Sequence, residues 1–120
     1  MSADPPRRGE IHLVDLDPVL GSEQAGRRPF LVLSIGAMNQ ASADLAIGIP
    51  LTTTNRSSRL HVRIEPDERG LRRVSYAMPE MVRSVSTLRF RRLIGRAPAD
   101  RLKTAAARTA FLIGLGRTKF

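Results

Sequence analysis

The sequence predicts a small, mostly antiparallel β-barrel with one helix appended at its C-terminal end. Three observations support this. Short apolar or alternating runs recur along the chain, enough for roughly five to seven strands. Gly, Pro, Asn and Asp punctuate them every few residues with no strand–helix–strand rhythm, which disfavours a parallel sheet. Sustained helical periodicity is confined to the last stretch. The 120 residues are the length of one domain.

Met1 to Arg8 holds Pro5, Pro6, Arg7 and Arg8 and reads as a loose N-terminal arm. Glu10 to Leu16 is the first strand, broken by Asp17-Pro18. The loop Gly21-Ser22-Glu23-Gln24-Ala25-Gly26-Arg27-Arg28-Pro29 follows, and Pro29 to Ser34 is a second, buried strand. Gly36 to Ala43 is a polar connection with room for one helical turn. Leu45 to Leu51 is the third strand, and Pro50 near its end argues for a sheet edge or a bulge.

Thr52 to Arg59 is a hydroxyl-rich basic loop. His61-Val62-Arg63-Ile64 alternates polar and apolar, as a strand with one wet face does. After the turn Glu65 to Gly70, Val74 to Met78 is strand-like, Pro79 interrupts it, and Glu80 to Val85 resumes it. In Leu88 to Ala97 a strand would bury Leu93 or Ile94 and hold Arg89, Arg91, Arg92 and Arg96 outside. The tail helix starts with Pro98 in its first turn and Asp100 near the positive end of its dipole. Leu102, Ala105, Ala106, Thr109, Leu112 and Ile113 share one face, suited to the core or a subunit contact, and Gly114 and Gly116 end the helix.

The composition narrows the partners. Hydrophobic residues make up 42% of the chain and aromatics 4%, so the core must be aliphatic. The net charge of +9 points to a polyanion such as nucleic acid, an acidic protein or an anionic surface. All basic residues except Lys103 and Lys119 are Arg, whose planar fork grips phosphate in a way that Lys does not. The absence of cysteine excludes disulfides, thiolate catalysis and Cys-based zinc sites. His12 and His61 have no second His or carboxylate at metal-ligand spacing. No apolar run is long enough to span a membrane and Met1 to Arg8 has no apolar signal region, so the expected compartment is the cytoplasm.

The loop ending at Pro29 is the richest in chemistry. Gly21 and Gly26 free its backbone, and Pro29 biases Arg28 toward an extended conformation. It presents Glu23, Gln24, Arg27 and Arg28, a set that suits phosphate handling and is equally what a solvated hairpin loop shows. The hydroxyls of Thr52, Thr53 and Thr54 can donate to phosphate oxygens, and Arg56 follows them.

The order Gly9-Glu10-Ile11, Asp15-Leu16-Asp17-Pro18 and Gly21 to Pro29 resembles the PemK/MazF family of toxin endoribonucleases. The likeness continues through Val32-Leu33, Asn39, Pro50-Leu51-Thr52 and Arg83-Ser84, covering roughly residues 9 to 115. It implies an SH3-like barrel, usually a homodimer, that cleaves single-stranded RNA without metal or cofactor. It also implies an acidic antitoxin whose extended segment blocks the RNA groove.

The family's loop arginine falls on Arg28 and its strand-end threonine on Thr52, which the resemblance makes catalytic. Glu23 and Glu80 match acidic positions and are both candidates for the general base. Gln24, Arg27, Thr53, Arg56 and Arg83 are the expected RNA contacts, with His12 and His61 outside the matched motif. The chain departs from relatives at Met78, where some carry arginine, at Ser22, where some carry histidine, and at Met81, where glutamine is common. Those departures bear on base assignment and sequence preference. Two further readings are a non-catalytic nucleic-acid-binding barrel and a toxin of similar fold that poisons DNA gyrase.

Overall fold

A single antiparallel sheet, strongly curled, holds the functional face. The chain is described from a computed structural model over residues 4–16, 26–39, 44–67 and 70–116. The elements are β1 (Glu10–Asp15), β2 (Arg27–Val32), α1 (Gly36–Asn39), β3 (Leu45–Thr52), β4 (Val62–Ile64), β5 (Ser75–Ala77), β6 (Arg83–Ser86), β7 (Phe90–Arg96) and α2 (Ala99–Leu112). Their order across the sheet is β4-β5-β3-β2-β1-β7, with β6 also on β3. The expected mainly β fold with a C-terminal helix is what forms.

The two-residue period of a strand sorts the core onto both faces of this sheet. Leu31, Ile49, Leu51, Val62, Ile64, Ala77 and Ile94 face inward, where Ala105 of α2 joins them. Val14, Phe30, Val32, Ala46 and Val85 form a second cluster on the other face. Phe90 packs edge-on against Phe30 with ring centroids 6.0 Å apart.

The turn that follows β4 packs closely against β7. A Cβ on Gly70 would lie 1.4 Å from the Ile94 carbonyl oxygen, so only glycine allows this approach. Gly48 is constrained in the same way, since a Cβ there would lie 2.1 Å from the Leu31 carbonyl oxygen.

Several expectations are corrected. Strand β3 is central, not an edge, despite Pro50. Pro50 sits where β3 passes from β6, which pairs at Leu45 to Gly48, to β5, which pairs at Leu51 and Thr52. Its carbonyl accepts from the Met78 N–H at 3.0 Å, and its missing N–H falls in the gap between the two partners.

Glu80 and Met81 do not resume a strand. They belong to a 3-10 turn, Pro79–Met81, which takes up the three-residue difference between the registers in which β5 and β6 pair with β3. In β7, Ile94 is buried and Leu93 is exposed. On α2, Ala105 and Thr109 are buried, whereas Leu112 and Ile113 are exposed.

The N-terminal arm is tied down over its described part. The Asn39 side-chain N–H donates to the Pro6 carbonyl at 2.8 Å, and Arg8 donates to the Leu33 carbonyl. Asn39 lies in the single turn α1, is buried, and also donates to the Ser34 carbonyl at 3.0 Å.

Candidate active site

The loop around which the sequence is organised springs from the ends of β1 and β2. Asp15 and Arg27 are paired at its base, and the Leu16 N–H donates to the Gly26 carbonyl at 2.9 Å. Glu23 and Gln24 lie outside the described residues. Arg27 and Arg28 are consecutive in β2, so their side chains leave on opposite faces of the sheet. Arg28 shares the face of Phe30 and is half-buried, while Arg27 takes the face opposite and is exposed. Adjacent in sequence, the two arginines are therefore separated by the strand.

Arg28 is instead brought to Thr52. β2 and β3 pair as Phe30↔Pro50, Leu31↔Ile49 and Val32↔Gly48, and this register continued by two residues sets Arg28 across from Thr52. β3 then pairs Thr52↔Tyr76, and β5 pairs Tyr76↔Arg63. Residues opposed in an antiparallel ladder project from the same face. Leu51, Ala77, Val62 and Ile64 turn into the inner core, so Thr52, Tyr76 and Arg63 turn away from it with Arg28. The result is a row across four strands: Arg28, Thr52, Tyr76, Arg63.

Thr52 is buried, with 5% of its surface exposed. Its Oγ1 accepts the Thr54 N–H at 3.2 Å, which ties down the oxygen and leaves the hydroxyl proton to be donated elsewhere. That is the polarity needed for a bond to a phosphate oxygen. Arg63 lies at the far end of the row, 56% exposed, with its Nε donating to Glu65 at 2.7 Å. Arg83 opens β6 opposite Gly48 and shares this face, displaced along the strand from Thr52. Thr53 and Arg56 are exposed in the loop that follows β3, where Ser57 takes a positive φ of 54°.

Glu80 is paired with His61 through one of its two oxygens. Its Oε2 lies 2.6 Å from His61 Nε2, and the His61 side chain is only 3% exposed. His61 Nδ1 is buried without a hydrogen-bond partner among the described residues. The proton therefore belongs on Nε2, where it bridges to the Glu80 carboxylate. Arg108 of α2 fixes the same segment by donating to the His61 carbonyl at 2.7 Å. Sequence reasoning set His61 aside and did not single out Tyr76. The alternation His61-Val62-Arg63-Ile64 and the chain's single Tyr were the available signals. Neither acquires a partner until the sheet register is known.

His12 pairs with Glu10 at 3.0 Å on β1, and its ring meets Phe90 edge-on at 5.1 Å. Burial, the largest influence on Glu10, raises its pKa. It is outweighed by the Arg7 N–H, the His12 hydrogen bond and the charges of His12 and Arg96, so the carboxyl titrates below its ordinary value. Among the described residues no group of three or more His, Cys, Asp or Glu is placed to hold a metal ion. None of the helices there is long and apolar enough to cross a membrane.

Comparison with known proteins gives a consistent picture. The profile of PemK-like, MazF-like toxins of type II toxin–antitoxin systems matches residues 7–112. Endoribonuclease MazF9 of Mycobacterium tuberculosis is 36% identical over 101 residues, covering 80% of this chain and 86% of that protein. Endoribonuclease EndoA of Bacillus subtilis is 35% identical over 86 residues, covering 70% of this chain and 73% of that protein. Among solved structures, MazF of Deinococcus radiodurans (form I) superposes with a TM-score of 0.82 at 28% identity, covering 92% of this chain and 98% of that one. The same organism's MazE–MazF complex (form I) superposes with a TM-score of 0.75 at 25% identity, covering 92% and 98%.

Proposed function

The chain belongs to the PemK-like, MazF-like toxins of type II toxin–antitoxin systems, and from that premise we propose that it cleaves single-stranded mRNA in the cytoplasm, without metal, at the Arg28–Thr52 end of the row. The observation that supports this most is the β2–β3 register, which, continued two residues past Phe30↔Pro50, brings the Arg28 guanidinium and the Thr52 hydroxyl to one level on one face. In the proposed reaction the RNA 2′-oxygen attacks the adjacent phosphorus and the bond from phosphorus to the 5′-oxygen breaks. The products are a 2′,3′-cyclic phosphate and a 5′-hydroxyl.

Charge accumulates on the non-bridging oxygens in the transition state. Arg28 stabilises it, and Thr52 fixes one of those oxygens. Arg28 has an intrinsic pKa above ~12, so stabilising charge is its first role and protonating the 5′-oxygen its second. The proton of the 2′-hydroxyl passes to a carboxylate, Glu23 or Glu80. Glu80 would serve through Oε1, because Oε2 is engaged by His61. Gln24, Thr53, Arg56 and Arg83 contribute RNA contacts in this reading, while Arg27 acts from the opposite face as part of the general positive field.

The active form is a homodimer with RNA running across the interface. Its inhibitor is an acidic antitoxin segment lying in the RNA groove with carboxylates near Arg28. MazF of Deinococcus radiodurans has been solved together with MazE, which supports this choice of partner. Incubating purified protein with a long RNA in EDTA and mapping 5′ ends tests the reading. Discrete 5′-hydroxyl ends produced over many turnovers are expected. RNA that is bound but remains intact would contradict it and favour a non-catalytic binding barrel.

A further inference from the structure

We propose that Tyr76 is a nucleobase-stacking residue that seats the base next to the scissile phosphate and so contributes to sequence preference. This rests on the nuclease reading above and extends it along the row. Thr52 and Tyr76 are directly opposed on β3 and β5. Opposed residues in an antiparallel pair have Cβ atoms about 5 Å apart on one face. A phosphate held at Thr52 therefore places a neighbouring nucleotide over the next strand, where the phenol ring stands. Beyond it Arg63, opposed to Tyr76 on β4, supplies a cation for the following phosphate. Adjacent strands lie about 4.8 Å apart, so Arg28 and Arg63 bracket a span of about 14 Å, the reach of a short extended strand of RNA.

The side chains around Tyr76 favour this role over a packing one. Its neighbours Ser75 and Ala77 are buried, and Ala77 belongs to the inner core, whereas Tyr76 is half-buried on the opposite face. Aromatic side chains are scarce, with 4 Phe and 1 Tyr in the whole chain. Phe30 and Phe90 are engaged with each other in the second core cluster, and Phe111 is on α2. Among the described residues Tyr76 is thus the aromatic available on the row. Single-stranded nucleic acid is held by basic side chains that follow the backbone and by aromatics on which bases stack. The row Arg28, Thr52, Tyr76, Arg63 sets one aromatic between basic side chains at its two ends.

The chain offers a direct reporter, because it has 1 Tyr and 0 Trp. A base stacked on the phenol quenches its emission. The titrant is an RNA oligonucleotide spanning a mapped cleavage site, with a 2′-deoxy sugar at the scissile position so that no nucleophile is present. Binding is followed by anisotropy of an end label and, in parallel, by tyrosine emission. Emission is expected to fall and saturate together with the anisotropy. Tyr76→Phe should bind within about twofold of the parent, and Tyr76→Val, which suits a strand, should bind about tenfold more weakly. Binding with unchanged tyrosine emission, or a Tyr76→Val protein that binds as the parent does, overturns this inference alone. Absence of any binding overturns it together with the nuclease reading.

Discussion

Arg28 and Thr52 lie two residues beyond Phe30↔Pro50, the last pair of the β2–β3 ladder, and the register continued that far sets them across from each other on the face of the sheet that looks away from the inner core. The two are far apart in sequence, and the strand register alone brings them to one level. The Thr52 oxygen accepts the Thr54 N–H, and its hydroxyl proton remains free to donate. In the proposed reaction a phosphate there meets a guanidinium and a hydroxyl donor together. Preorganised donors of this kind lower a barrier because they need no reorientation as charge develops.

Arg28→Ala should reduce single-turnover cleavage by about 100- to 1,000-fold, the usual cost of losing one preorganised donor to a developing oxyanion. Circular dichroism should be unchanged. Arg28→Lys should recover little, since a point charge does not reproduce the planar fork. Cleavage assays on folded variants check both outcomes.

Thr52→Val keeps the shape and removes the hydroxyl. The Thr54 N–H then loses its partner, which should cost about 1 kcal/mol of stability by chemical denaturation. Cleavage should fall by about 10- to 100-fold, the worth of one hydrogen bond to a charged group, while RNA affinity changes less. Equal losses in rate and in affinity would show that Thr52 contributes ground-state binding alone.

The strand content and the terminal helix were legible because period-2 runs and turn residues are local signals. Pro50 misled because the rule that keeps proline at sheet edges allows an exception where a strand changes partner, and no local signal marks such a place. Glu80 was read as strand because the register shift between β5 and β6 is set by how each pairs with β3, which no local signal records. Arg27 and Arg28 look like one basic pair in sequence, yet alternation within β2 sends them to opposite faces. Tyr76 and the His61–Glu80 pair depend on register between distant strands, and one sequence does not supply that.

Gly70→Ala tests the close packing of the turn after β4 against β7. The added Cβ would lie 1.4 Å from a backbone carbonyl oxygen, which cannot move aside as a side chain could. A loss of about 3 kcal/mol or more is expected in urea denaturation, well above the usual cost of a surface substitution. A neutral outcome would mean that the turn does not need this close approach to β7.

Glu10 makes stability depend on acid pH. Its carboxyl titrates below its ordinary value in the fold, so the folded state favours the charged form. The stabilisation is fully present above the ordinary glutamate pKa and is lost as pH falls through the lowered folded value. Glu10→Gln should therefore lower the melting temperature most at neutral pH. The gap to the parent should shrink as pH falls below about 4.5. Melts of both proteins across that range check the sign, and a gap that widens in acid would contradict it.

The most direct test of the account is a double-mutant cycle on Arg28 and Thr52, read as single-turnover cleavage of one defined RNA in EDTA. Arg28→Ala, Thr52→Val and the double variant are compared with the parent. If both groups act on the same phosphate, the second substitution should cost much less once the first is made, with a coupling of about 1–3 kcal/mol. Strictly additive losses, with the double variant slower than the parent by the product of the two single effects, would contradict a shared site.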